Sequence, residues 1–157
     1  MKDYPFIGNA YCALDAMGRM TLPGFVRCAL ARRSDARIIF VGRHDVDRCL
    51  ISYDRGFALG LSEDIRRRRL AEEERAPEMH HARARRAFGF VDELLLDTRG
   101  KVILPPLLRR VAGLERAALV VGAGGTFEIW SPEIALESAD RAIAEIAAFH
   151  LDHDLAA

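Results

Sequence analysis

No apolar run in this chain of 157 residues approaches the roughly 20 needed to cross a bilayer. The amino-terminal MKDYPFIGNAY also lacks the apolar stretch of a secretory signal. Cysteine is scarce: Cys12, Cys28 and Cys49 are odd in number and form no C-x-x-C pair, which argues against a disulfide framework and a zinc knuckle. No Ser or Cys belongs to a recognisable nucleophile motif, so an enzyme is the least favoured class. Net charge is missing too. The 23 Lys and Arg residues balance 23 Asp and Glu, whereas non-specific nucleic-acid binders are commonly basic overall. These absences set the expectation of an intracellular protein that uses no membrane, cofactor, metal or small-molecule substrate.

What is present is ordinary for a folded domain: 50% hydrophobic and 29% charged residues. This length suits one domain, or two small halves on one core. Charge is unevenly placed. Arg32 and Arg33, Arg66 to Arg69, and Arg83, Arg85 and Arg86 are basic clusters, while Glu72 to Glu74, Asp152 and Asp154 are acidic. A neutral total is compatible with a basic face.

The chain repeats itself. L-D-x-x-G-[RK]-x-x-L-P-x-x-x-R occurs from Leu14 to Arg27 and again from Leu96 to Arg109, at an offset of 82 residues. Leu14, Asp15, Gly18, Leu22, Pro23 and Arg27 recur as Leu96, Asp97, Gly100, Leu104, Pro105 and Arg109. Such self-similarity signals duplicated structure. Ala10 to Leu14 reads as a strand, Asp15 to Gly18 as a turn and Arg19 to Leu22 as a second strand. Pro23 suits the first position of a helix, with Phe25, Val26, Ala29 and Leu30 on one face. RIIFVG (37–42) and CLISY (49–53) follow as strands. The second copy has the same order: strands at Glu93–Leu96 and Lys101–Leu104, a helix from Pro105 ended by Gly113, then AALVVG and TFEIW. The offset falls to 80 at Gly42/Gly122 and to 77 at Tyr53/Trp130, as loops shorten.

Between the copies, Ser62 with Glu63 and Asp64 predicts a helix start, Pro77 a break, and a second helix runs to about Phe88. Ser131-Pro132-Glu133 caps a final helix through Ala148. The fold class is α+β. Repeat 1 covers 8–56, a helical connector 57–89, repeat 2 90–133, and a helix and tail 134–157.

Asp, Gly and Pro at a turn before a helix are structural residues first. Asp15 and Arg19 could pair across the turn, worth ~0–1 kcal/mol, and Arg27 and Arg109 could brace the same network. The basic residue after each Gly exceeds these needs. A guanidinium just beyond an exposed turn reaches a phosphate or a guanine edge, and the two equivalent tips bearing Arg19 and Lys101 suit duplex DNA. Other candidates are weaker. His44, Asp45 and Asp47 form a loop without a second ligand cluster, His80 and His81 point to different helix faces, and His150 and His153 sit near a terminus where disorder is expected. GAGG (122–125) precedes a strand rather than the helix a phosphate loop needs. Tyr53 and Trp130 read as packing groups.

LDAMGRMTLPGFVR, LDTRGKVILPPLLRRVAGL and LVVG…FEIWSPE together resemble the MraZ family of bacterial transcription regulators, as does RRAFGF (85–90). The resemblance covers roughly Gly8 to Pro132. It implies two pseudo-symmetric AbrB-like halves with swapped hairpins, and assembly into a ring-shaped homo-oligomer. It also implies sequence-specific binding to repeated boxes upstream of the cell-division and cell-wall gene cluster, hence a cytoplasmic, nucleoid-associated protein. The arginine of D-x-x-x-R contacts DNA in the family, which places that role on Arg19 and its equivalent on Lys101. Arg27 and Arg109 would then support the contact, and Asp15 and Asp97 would shape the tips. Lys101 stands where the family usually has Arg, and Met17 where Lys is common. The rival reading is an antitoxin-like protein–protein module.

Overall fold

In the computed structural model, residues 3–72 and 77–154 are described. The first half contains β1 (Asn9–Ala13), β2 (Arg19–Thr21), α1 (Gly24–Arg33), β3 (Ile38–Arg43) and β4 (Leu50–Tyr53). A connector follows: α2 (Arg55–Glu72), α3 (Pro77–Ala84) and a π-helical turn at Arg85–Gly89. The second half repeats the first as β5 (Val91–Leu95), β6 (Lys101–Ile103), α4 (Pro106–Ala112), β7 (Ala117–Gly122) and β8 (Phe127–Trp130). Two helices, α5 (Pro132–Leu136) and α6 (Arg141–Asp154), close the described chain.

The halves are interleaved. Six strands form one sheet in the order β1-β7-β8-β4-β3-β5, and β2 pairs β6 in a separate two-stranded ribbon. Exchanging each strand for its counterpart reverses the six-stranded order and leaves it unchanged, so a pseudo-twofold axis passes between β8 and β4. Register obeys the same symmetry: Ala13 faces Ala117 as Leu95 faces Ile38, and Asn9 faces Val121 as Val91 faces Gly42. This corrects the sequence alignment by one residue, because Gly42 occupies the place of Val121 rather than Gly122. The strands that the sequence suggests as local hairpins, β1 with β2 and β5 with β6, do not pair with each other. Each finds its partner in the opposite half, as swapped hairpins do.

The recurring residues are the ones this interleaving needs. Leu14, Met20, Leu22 and Val26 are buried together with their counterparts Leu96, Val102, Leu104 and Leu108 in one core. Alternation along β7 sends Ala118 and Val120 into that core, while Leu119 and Val121 enter a second cluster on the far face of the sheet with Trp130, Ala135, Ile143 and Ala147. Pro23 and Pro105 are helix N-caps rather than first helical residues, with extended ψ of 154° and 149°. Gly113 ends α4 with φ 66°, as expected of a left-handed C-cap.

The duplication extends beyond the strands. Asp54 follows β4 as Ser131 follows β8, and each caps the helix behind it: Asp54 Oδ1 accepts from Phe57 N–H (3.0 Å) and Ser131 Oγ from Ile134 N–H (3.3 Å). The connector helix therefore starts at Arg55, seven residues before the predicted Ser62 start. The predicted Pro77 break falls where α2 ends at Glu72 and α3 begins at Pro77, and Glu73 and Glu74 lie outside the described residues. The single predicted final helix is two helices. Asp140 Oδ1 accepts from Ala142 N–H (2.9 Å) and Ile143 N–H (3.2 Å), which starts α6 afresh. His150 and His153 belong to this helix instead of a disordered tail, and His150 Nε2 lies 2.6 Å from Asn9 Oδ1 on β1.

Asp54 also joins elements. Its carboxylate accepts from Arg33 Nε (2.9 Å) and Ser34 Oγ (3.2 Å), while Arg33 donates through Nη1 to the Tyr4 carbonyl (2.6 Å). Both side chains are almost fully buried. Burial raises the Asp54 carboxyl, but the Arg33 hydrogen bond, the Phe57 amide and the Arg33 charge outweigh it and hold it below the usual carboxylate range. Removing one partner strands a buried charge, so Asp54→Ala should lower unfolding free energy by about 3–5 kcal/mol in urea titrations. Because the folded carboxyl titrates low, its contribution is present above the unfolded pKa of about 3.9 and is lost as pH falls through the folded value. Asp54→Asn should remove that acid-limb dependence.

Candidate nucleic-acid interface

The two D-x-x-G turns have the same hydrogen bonds. Asp15 Oδ1 accepts from the backbone N–H of Met17 (2.9 Å) and Arg19 (2.9 Å), and Gly18 N–H donates to the Asp15 carbonyl (3.0 Å). In the second turn Asp97 Oδ1 accepts from Arg99 (2.8 Å) and Lys101 (2.9 Å), and Gly100 N–H donates to the Asp97 carbonyl (3.0 Å). The amide of Arg19 is the main cause that holds the Asp15 carboxyl below its ordinary value, and the amide of Lys101 does the same for Asp97. The aspartates thus bind backbone, not the basic side chain beside them. Among the described residues, the Arg19 guanidinium and the Lys101 ammonium make no ion pair or hydrogen bond.

The ribbon orients these two side chains. Met20 opposite Val102 points into the core, so the alternating residues Arg19, Thr21, Lys101 and Ile103 face outward together. Arg19 is exposed and Lys101 half-buried. They stand at opposite ends of the ribbon, two residues or about 7 Å apart along the strands. Across its ends, Leu22 N–H donates to the Gly100 carbonyl (3.0 Å) and Leu104 N–H to the Gly18 carbonyl (2.8 Å). Each turn is therefore bonded to the strand end of the other half.

Arg27 and Arg109 cross over in the same way. Gly18 has φ 84°, and a Cβ there would lie 2.6 Å from Arg109 Nε. At Gly100, φ 77°, a Cβ would lie 2.5 Å from Arg27 Nε. Neither arginine braces its own half's turn. Arg37 and Arg116, which sequence reading passed over, also serve the opposite turn: the Arg37 carbonyl accepts from Leu96 N–H (2.7 Å) and the Arg116 carbonyl from Leu14 N–H (2.9 Å). Both are exposed. The two arginines are related by the 79-residue offset that the β3 and β7 registers establish, which the sequence alignment, at 80, did not show.

A family model described as "MraZ protein, putative antitoxin-like" matches residues 87–135. A protein of Saccharophagus degradans named "Transcriptional regulator MraZ" is 37% identical over 82% of this chain and 83% of its own. Proteins of the same name from Thermomicrobium roseum and Herminiimonas arsenicoxydans are each 34% identical, over 82% and 88% of this chain and 82% and 91% of theirs. The chain belongs to the MraZ family.

One further cluster in this MraZ-family chain was missed by sequence reading. His44 is not in a merely solvated loop: its Nε2 lies 3.2 Å from Glu128 Oε2, and Cys49 Sγ is close enough to join them as a three-ligand group. The hydrogen bonds argue for structure rather than metal. His44 Nδ1 accepts from the N–H groups of Val46 (3.1 Å) and Asp47 (3.0 Å), so the ring proton sits on Nε2, where a metal would need a lone pair. Glu128 Oε1 already accepts from Trp130 Nε1 (2.9 Å). Burial, with the charges of Glu128 and Asp47, pushes the Cys49 thiol far above its usual range. The cluster ties the 44–49 loop to β8. No helix among the described residues is long and apolar enough to cross a membrane.

Gly18→Ala tests the turn itself. It forces a left-handed φ on alanine and drives Cβ into Arg109, so it should cost about 1–3 kcal/mol in denaturant unfolding, with a similar loss for Gly100→Ala.

Proposed function

We propose that this chain is a transcription regulator that binds double-stranded DNA sequence-specifically through its two D-x-x-G turns. The observation that carries the reading is the pair of equivalent turns, each presenting, on the outward face of one ribbon, a basic side chain that makes no ion pair or hydrogen bond among the described residues. The name of the relatives, transcriptional regulator, supports it. In this reading Arg19 reads a base edge with its planar fork, and Lys101 contributes a phosphate contact. Asp15 and Asp97 hold the tips, and Arg27 and Arg109 support them. The target is a set of direct-repeat boxes in the promoter of the cell-division and cell-wall gene cluster. Several copies in a ring place successive turns about one helical repeat apart. A chain with no net charge gains affinity this way, since linked weak contacts multiply.

The competing reading, an antitoxin-like module that masks a protein partner, follows from the family description. A salt titration separates the two. DNA binding through phosphates weakens steeply with salt, each contact adding roughly one to the logarithmic slope. Arg19→Ala should lower affinity for the repeat-bearing promoter duplex and reduce its preference over a scrambled duplex, by roughly 1–3 kcal/mol per contacted base. Unchanged affinity and preference would remove Arg19 from the interface. A stoichiometric protein partner with no salt-dependent DNA shift would favour the antitoxin-like reading.

A further inference from the structure

The two turns match in backbone and differ in how firmly the opposite half holds them. Over the Arg19 turn, Arg109 is half-buried and its Nε donates to the Leu104 carbonyl (3.0 Å). Leu104 N–H in turn donates to the Gly18 carbonyl (2.8 Å), so the side chain, the ribbon end and the turn form one connected unit. Over the Lys101 turn, the equivalent Arg27 packs as closely on Gly100 as Arg109 does on Gly18, but it is exposed and among the described residues its guanidinium has no hydrogen-bond acceptor. The firmer brace lies on the turn whose basic residue has a fork able to make two directed bonds. The looser brace lies on the turn with a point charge, where Arg99 occupies the place of Met17 and adds a second positive charge.

We infer that Arg109, supplied by the second half, is a positioning residue for the first half's Arg19, and that the chain thereby carries one rigid base-reading turn and one adaptable phosphate-anchoring turn. The physical reason is the difference in what the two contacts require. Directed recognition of a base edge needs its donor held within a fraction of an ångström, and that hold comes from groups packed behind it. A charge against phosphate tolerates displacement. Arg109 acts by packing Cδ and Nε against Gly18 with Nε donating to the Leu104 carbonyl, and a lysine places a methylene where that Nε stands. The inference rests on the DNA-binding reading above, but its first readout does not need DNA.

The test compares Arg109→Lys with Arg27→Lys in the full chain, both checked for unchanged global stability. Amide hydrogen exchange without DNA should speed up at Gly18 and Leu104 in Arg109→Lys, and stay unchanged at Gly100 and Leu22 in Arg27→Lys. With a promoter duplex carrying the repeats and a scrambled duplex, Arg109→Lys should lose roughly tenfold in discrimination, the scale of one bidentate base contact. Its salt slope should not change, because the charge is kept and no phosphate contact is lost. Arg27→Lys should leave discrimination unaltered. The inference is overturned if Arg109→Lys leaves Gly18 exchange unchanged, or alters exchange without altering discrimination. It is equally overturned if Arg109→Ala lowers the salt slope by about one, which would make Arg109 a phosphate contact. An Arg19→Ala chain that still discriminates would refute the DNA assignment itself, while the exchange comparison would still decide whether Arg109 holds the turn.

Discussion

The pairing of β2 with β6 is the constraint on which the rest of the molecule depends. Three residues from each half form the ribbon, and its ends are closed by the Leu22–Gly100 and Leu104–Gly18 hydrogen bonds. A ribbon so short is marginal alone. It persists because Met20 and Val102 anchor it in the shared core and because β1 and β5, which precede β2 and β6 in the chain, are committed to β7 and β3. Pairing the halves this way puts both turns on one outward-facing unit with fixed spacing. Neither half could build that unit by itself.

Much of this was legible in the sequence, for a definite reason. The residues that recur at the 82-residue offset meet demands local enough to read: Gly18 and Gly100 for positive φ, Asp15 and Asp97 for side-chain capture of two amides, and Pro23 and Pro105 for helix entry. Tertiary choices were not local. The run from Ala10 to Leu22 is equally consistent with a local hairpin, and only the resemblance to a swapped family indicated otherwise. The Asp54 helix start was concealed because Asp54-Arg55-Gly56 reads as loop, although its 77-residue counterpart Ser131 is an evident cap. The break at Asp140 was lost inside an alanine-rich stretch whose apolar spacing runs on across it. His44 seemed isolated because its partner Glu128 lies 84 residues away on β8.

The cross-over of arginines gives the duplication a consequence beyond symmetry. Each turn is built from both halves: its aspartate, glycine and basic residue come from one, and its brace and flanking arginine from the other. A substitution in one half is therefore felt at the other half's turn. Lys101 and Arg99 stand where the first turn has Arg19 and Met17, and an exposed Arg27 where it has a half-buried, hydrogen-bonded Arg109, so two turns with one backbone geometry differ in charge and in the bonding of their braces. The arginine-rich connector follows β4 on the face of the sheet opposite the shared core, where Tyr53 stacks on Phe40 and Phe57 packs tilted against Tyr53. Its charge belongs to a separate surface.

The account's central claim is that both turns, and not the connector, meet DNA. Amide hydrogen exchange across the whole chain, with and without a repeat-bearing promoter duplex, tests it most directly. The account predicts new protection centred on Asp15–Arg19 and Asp97–Lys101 together, with Arg66–Arg69 and Arg85–Arg86 unchanged. Protection confined to the connector arginines, with both turns unaffected, would contradict it.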